Sequence, residues 1–301
     1  MNQRIIKQAE SLLPFFTMVG ILFQSALAQS SHEDIALVRL QLNRVEIPMS
    51  FVAGKAAVAL TINGQGPYSF ILDTGAGGSV IDKTVAEKLN LLVIGTDSVS
   101  TPGGEGFEAD IVKADSMLFG DALLTDVGLT ILDLSGAFVM GASMAGILSY
   151  RHFSNVLLTI DYESESISFE PGELNIEEPN TIQYRYSENI IEIIVKINGK
   201  NYPLHLDTGS PGMVTLPKDV ADRLEFESTP VVKHKARLVD RTVDIYEGKL
   251  KGEIQFAGVT LLDPIVSIID LESGQIGQGF FKDKALVIDQ KNNLIRIKEY
   301  H

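Results

Sequence analysis

Cysteine is absent from all 301 residues. That excludes a disulfide framework, a thiol nucleophile and any cysteine-based metal site. Histidine is scarce: His32, His152, His205, His234 and His301 show no metal-ligand spacing such as a pair four apart on a helix, so no metal centre is expected. The turn Gly209-Ser210-Pro211-Gly212 is not a nucleophile elbow, and no lysine follows a glycine-rich turn as a phosphate loop requires. Positive charge is also in short supply, with 25 Lys and Arg against 39 Asp and Glu, a net charge of −14. Nucleic acids and anionic membrane surfaces both need a cationic face and are not expected as partners. Any catalysis here must use oxygen groups, nitrogen groups or a cofactor, and no cofactor is expected.

Long hydrophobic runs are confined to the start of the chain. Arg4 and Lys7 precede an apolar run from Leu12 to Phe23, followed by Ser25-Ala26-Leu27-Ala28. This reads as a signal peptide, residues 1–28, cleaved after the small residue Ala28. The alternative, an uncleaved anchor, is disfavoured because the stretch is short for a membrane span and contains Pro14. Removing it takes away Arg4, Lys7 and Glu10 and leaves 23 basic against 38 acidic side chains, net −15. A periplasmic or extracellular location follows, with no stable membrane insertion after cleavage. The whole chain is 45% hydrophobic and 21% charged, a composition that supports substantial cores.

Comparing the chain with itself reveals a repeat. Ala59-Leu60-Thr61-Ile62-Asn63-Gly64 leads to Phe70-Ile71-Leu72-Asp73-Thr74-Gly75. Ile194-Val195-Lys196-Ile197-Asn198-Gly199 leads to Leu204-His205-Leu206-Asp207-Thr208-Gly209. Asn-Gly between two β-type runs is a strong hairpin signal, so each half opens with a hairpin whose second strand delivers an aspartate. Val85-Ala86-Glu87-Lys88-Leu89 and Val220-Ala221-Asp222-Arg223-Leu224 predict a short helix after each aspartate loop. Leu129 to Leu134 corresponds to Val266 to Leu271, and Gly146 to Asp161 to Gly274 to Asp289; the first half carries an insertion around Ser135 to Met144 that is expected as a surface loop. The stretch from Glu170-Pro171-Gly172-Glu173 to Glu177-Glu178-Pro179-Asn180 is expected as a linker. The fold class is therefore mostly β: two similar β-rich lobes, residues 29–172 and 181–301, joined by a linker at 173–180 and related by a pseudo-twofold axis.

Apolar residues immediately before each aspartate place a carboxylate at the end of a buried strand, where charge is costly. A dyad supplies the reason. If the halves meet about the axis, Asp73 and Asp207 approach too closely for both to ionise and share one proton. The ionised acid draws a proton from a water between them while the protonated one supports a carbonyl. Gly75 and Gly209 permit the close approach of the loops. Thr74 and Thr208 have hydroxyls that both donate and accept, suited to bonding across to the opposite loop. The other repeated acids, Asp161 and Asp289, precede polar turns and are read as turn residues.

The pair Ile71-Leu72-Asp73-Thr74-Gly75-Ala76 and Leu206-Asp207-Thr208-Gly209-Ser210 resembles the retropepsin-like and pepsin-like aspartyl proteases, most closely the bacterial secreted members built from two retropepsin-type units. The likeness runs from about Ile47 to Ile297. It implies an aspartic-type endopeptidase, with catalytic Asp73 and Asp207 supported by Thr74, Gly75, Thr208, Gly209 and Ser210. It implies an apolar-apolar-Gly segment crossing behind each aspartate loop; Gln275-Ile276-Gly277 fits, and Ile147-Leu148-Ser149 departs at Ser149. Ser210 after one motif and Ala76 after the other imply a mildly acidic optimum. A flap is implied, and Thr101-Pro102-Gly103-Gly104-Glu105-Gly106 is its candidate. The substrate is expected to be a peptide or protein bound in extended form, and one chain suffices, so a monomer is expected. The alternative reading, supported by Ser149 and the adjacent Arg151-His152, is a catalytically silent module that binds peptides or envelope proteins.

Overall fold

A computed structural model describes residues 35–52, 54–99, 106–135, 144–187, 189–237 and 242–300. The expected signal peptide lies outside these residues, as do most of the candidate flap turn and most of the first-half insertion. No helix among the described residues is long and apolar enough to cross a membrane. The chain is mostly β, with two short α-helices, Lys83–Lys88 and Lys218–Ala221, one after each aspartate loop. Buried Asp82 caps the first by accepting from the Thr84 N–H at 2.9 Å. The second follows Pro217 at its N-cap, without a side-chain cap bond, and ends at Ala221, short of the Leu224 that the sequence suggests.

Each half builds its own sheet on one plan. In the first, Lys55–Ile62 and Gln65–Asp73 form the predicted hairpin. In the second, Ile190–Ile197 and Lys200–Asp207 do the same. Both turns place Asn and Gly at positive φ, 50° and 75° at Asn63-Gly64 and 47° and 79° at Asn198-Gly199, the conformation that two-residue hairpins require. Gly146–Ser149 then runs parallel to Gln65–Asp73 and antiparallel to Val80–Asp82. Gln275–Gly277 runs parallel to Lys200–Asp207 and antiparallel to Val214–Pro217. Ser149 is thereby paired with Asp73 and Gly277 with Asp207. The strands Leu92–Val99 and Phe107–Phe119 pair antiparallel in the first half, from Leu92 opposite Lys113 to Val99 opposite Phe107.

A six-stranded sheet joins the halves, taking Val45–Pro48, Leu157–Asp161 and Ser166–Glu170 from the first and Thr181–Gln183, Lys284–Asp289 and Leu294–Glu299 from the second. At its centre Leu157–Asp161 pairs antiparallel with Lys284–Asp289, and Thr159 faces Val287, its own counterpart in the repeat. A residue that faces its own equivalent marks the twofold axis, as in a self-complementary interface between identical subunits. The segment between the halves is bound to this sheet: Leu174 packs on Val287 and Leu294, and its N–H donates to Asp289 at 2.8 Å. Asp161 and Asp289 accept from backbone N–H groups of their own turns.

The Ser149 departure has a structural answer. Its hydroxyl donates to the Ala76 carbonyl at 2.7 Å, and its N–H donates to Ser79 Oγ at 2.9 Å. His152 Nδ1 lies 2.8 Å from the Ala36 carbonyl, which only accepts, so Nδ1 carries the proton and Nε2 accepts from Ser79 Oγ at 2.9 Å. Arg151 adds a bond to the Gly77 carbonyl at 2.9 Å. A closed polar network thus replaces the packing that Gly277, Gly279 and Phe280 supply in the other half. It also fixes the segment around Ala36 and Val38 to the first lobe, where the Val38 N–H donates to the His152 carbonyl.

Candidate active site

The two aspartate loops meet at the axis through four reciprocal hydrogen bonds. Thr74 N–H donates to Thr208 Oγ1 and Thr208 N–H to Thr74 Oγ1, each at 3.0 Å. The Thr74 hydroxyl donates to the Leu206 carbonyl at 2.7 Å, and the Thr208 hydroxyl to the Leu72 carbonyl at 2.9 Å. Both threonines are fully buried, so every polar group of the crossing is satisfied inside the protein. The loops, and with them the acids, are locked in register by side chains reaching into the opposite half.

Asp73 and Asp207 sit just beyond this crossing, each 5% exposed, with their carboxyl groups hydrogen-bonded to one another. The Gly75 N–H donates to Asp73 Oδ1 at 2.7 Å. A Cβ on Gly75 would stand 2.8 Å from the Asp207 Cγ, and one on Gly209 only 2.3 Å from Asp73 Oδ2. Each glycine is thus where the opposite carboxylate must pass, a spacing that no side chain tolerates. Burial holds Asp207 well above the ordinary carboxylate range, and the charge of Asp73 pushes it further. Burial also raises Asp73, against the opposing pull of the Lys55 ammonium and the Gly75 N–H. Two acids so close and so differently surrounded are suited to sharing one proton.

Of the supporting residues expected from sequence, Thr74, Thr208, Gly75 and Gly209 are brought together at the pair. Ser210 is buried beside it and works through its backbone: its N–H donates to the Asp207 carbonyl at 3.1 Å, and its carbonyl accepts from Gln278 N–H at 2.8 Å.

Two residues near the pair went unnoticed in the sequence. Lys55, 4% exposed, acts electrostatically on both aspartates. Its signal was a lysine heading the otherwise apolar run Ala56-Ala57-Val58-Ala59-Leu60, where the repeat has Ile190. Tyr162 stacks on Phe281 with ring centroids 6.0 Å apart, and its hydroxyl is buried with no hydrogen-bond partner among the described residues. Burial, and then the charges of Asp207 and Asp73, raise its pKa.

A family model described as aspartyl protease matches the chain over residues 58–151 and 193–280, the two repeated halves. No curated protein matches it.

Proposed function

Since the chain belongs to the aspartyl protease family, we propose that it is an endopeptidase that hydrolyses peptide bonds with a water activated between Asp73 and Asp207. The observation that carries this reading is the buried, mutually hydrogen-bonded pair whose environments push the two acids apart in proton affinity. Asp73, ionised, takes a proton from the water as its oxygen bonds to the scissile carbonyl carbon, and the proton of Asp207 passes to the carbonyl oxygen. The product is a neutral gem-diol with no covalent link to the protein. On collapse the C–N bond breaks, the proton on Asp73 moves to the leaving nitrogen, and a gem-diol hydroxyl returns its proton to Asp207. Acid and amine leave, and the starting protonation is restored.

The substrate in this reading is an extended peptide or protein segment held by strand-like backbone hydrogen bonds. The protein acts as a monomer in the periplasm or outside the cell, because one chain supplies both acids. The test is cleavage of a mixed peptide library by residues 29–301 across pH 3 to 8, beside folded Asp73→Asn and Asp207→Asn proteins. Cleavage that either substitution abolishes is the expected result. A wild type that cuts nothing, or variants that cut as well as the wild type, replaces this reading with that of a peptide-binding module.

A further inference from the structure

A lysine is almost never fully buried without a partner, because desolvating an ammonium is costly. Lys55 is buried at the head of Lys55–Ile62, and its place there is fixed by pairing. Ala57 lies opposite Ile71 on Gln65–Asp73, so two steps along the same antiparallel register Lys55 comes opposite Asp73. Alternation puts both side chains on one face of the sheet. In the other half Glu192 lies opposite His205, which brings Ile190 opposite Asp207 by the same count. The twofold site is therefore flanked by a cation on the Asp73 side and by an apolar side chain, 1% exposed, on the other.

The backbone around Lys55 is held by the opposite half. Gln278, next to Gly277 on the strand that pairs with Asp207, accepts from the Ala56 N–H at 3.0 Å and donates to the Gly54 carbonyl. Both bonds bracket Lys55. The matching residue of the first half, Tyr150, reaches across with its hydroxyl to the Asn189 carbonyl at 3.3 Å. The Lys55 position is thus tied to the same second-half segment that backs Asp207.

We propose that Lys55 is a positioning residue for the dyad, the counter-ion that holds the buried pair in its one-proton, singly charged state. A pair with one proton carries one negative charge; with the ammonium the cluster is neutral, which is the cheapest way to keep ionised groups out of water. Because the cation stands opposite Asp73, the negative charge settles there and the proton stays on Asp207. The other titratable groups of this surrounding are the Tyr162 phenol and, two positions back on the second-half strands, His205 and Glu192.

This inference rests on reading the pair as catalytic, and its test separates the two. Carboxyl ionisation is followed by carbon NMR in purified wild type, Lys55→Met, Lys55→Ile and Lys55→Arg proteins, with the pH profile of kcat/KM measured alongside. Removing an opposite charge that acts on a buried carboxyl raises the first ionisation of the pair by about one pH unit or more. The acid limb of kcat/KM moves up with it in the Met and Ile variants. Lys55→Arg, which keeps the charge, leaves both near wild type. Should the neutral variants fail to fold, the coupling is read in reverse, since it must be reciprocal: the Lys55 midpoint falls in folded Asp73→Asn relative to wild type. Carboxyl midpoints that do not move in folded neutral variants, or a Lys55 midpoint unchanged by Asp73→Asn, overturn the proposal. Shifted midpoints in a protein that cleaves nothing uphold the counter-ion and refute the peptidase reading alone.

Discussion

Acid should weaken the fold through one histidine. Free His titrates near 6.5, and burial drives His152 down to about 4. The cause is visible: its Nδ1–H is committed to the Ala36 carbonyl and its Nε2 to the Ser79 hydroxyl, so a second ring proton finds no acceptor and an uncompensated charge is buried beside Arg151. Between pH 6.5 and 4 the unfolded chain binds a proton that the folded chain refuses. The stabilisation is complete above about 6.5 and is lost as pH falls towards 4, the loss amounting to about 2.5 kcal/mol at pH 4.5. The dyad works in the opposite sense, since its raised carboxyls hold protons that the unfolded chain releases, so the raw pH profile mixes the two. The clean measurement is a difference: urea unfolding at pH 7.5 and 4.5 of wild type and His152→Gln, both in an Asp73→Asn background to prevent self-cleavage. The histidine protein should lose about 2 to 3 kcal/mol more than the glutamine protein over that interval. Equal losses would refute the assignment of a neutral, doubly bonded His152.

Other outcomes follow from the loops. Thr208→Val deprives the Thr74 N–H of its acceptor and the Leu72 carbonyl of its donor, both buried; the urea midpoint should fall by the equivalent of about 2 to 4 kcal/mol. Gly209→Ala forces a methyl to 2.3 Å from Asp73 Oδ2, whereas Gly75→Ala meets Asp207 Cγ at 2.8 Å. Peptide cleavage should therefore fall in both, by about a hundredfold or more for Gly209→Ala, given the sensitivity of catalysis to displacements of an ångström. Equal, mild effects in folded proteins would contradict the closeness of that approach. Ser149→Gly, the residue its repeat partner carries, loses the bond to the Ala76 carbonyl and should cost about 1 kcal/mol by thermal or urea unfolding.

What could be read from the sequence was what is written locally and twice. The Asn-Gly turns specify hairpins through positive φ at two adjacent residues, and the apolar run before each Asp-Thr-Gly specifies a buried strand end. The repeat supplied the twofold, and with it the meeting of Asp73 and Asp207. The crossing bonds of Thr74 and Thr208 are legible because a hydroxyl both donates and accepts. The network of Ser149, Ser79, His152 and Ala36 was not legible, because its members lie more than a hundred residues apart at the extremes and none is repeated. Lys55 was hidden for a related reason: its meaning depends on a strand register with Asp73, which composition does not reveal.

The differences between the halves carry an argument about mechanism. A perfect twofold would make the two acids equivalent, with no reason for either to hold the shared proton. Here the departures from symmetry near the site fall on the first half: Lys55 in place of Ile190, Ala76 in place of Ser210, and the Ser149 and His152 network in place of Gly277 and Phe280. Of these only Lys55 brings charge to the pair, and it stands opposite Asp73 by strand register. Asp207, faced by Ile190 and by the anion of Asp73, is the acid pushed further up. In the proposed mechanism the proton therefore rests on Asp207 and Asp73 serves as the base, distinct chemical roles for two residues that the repeat presents as equals.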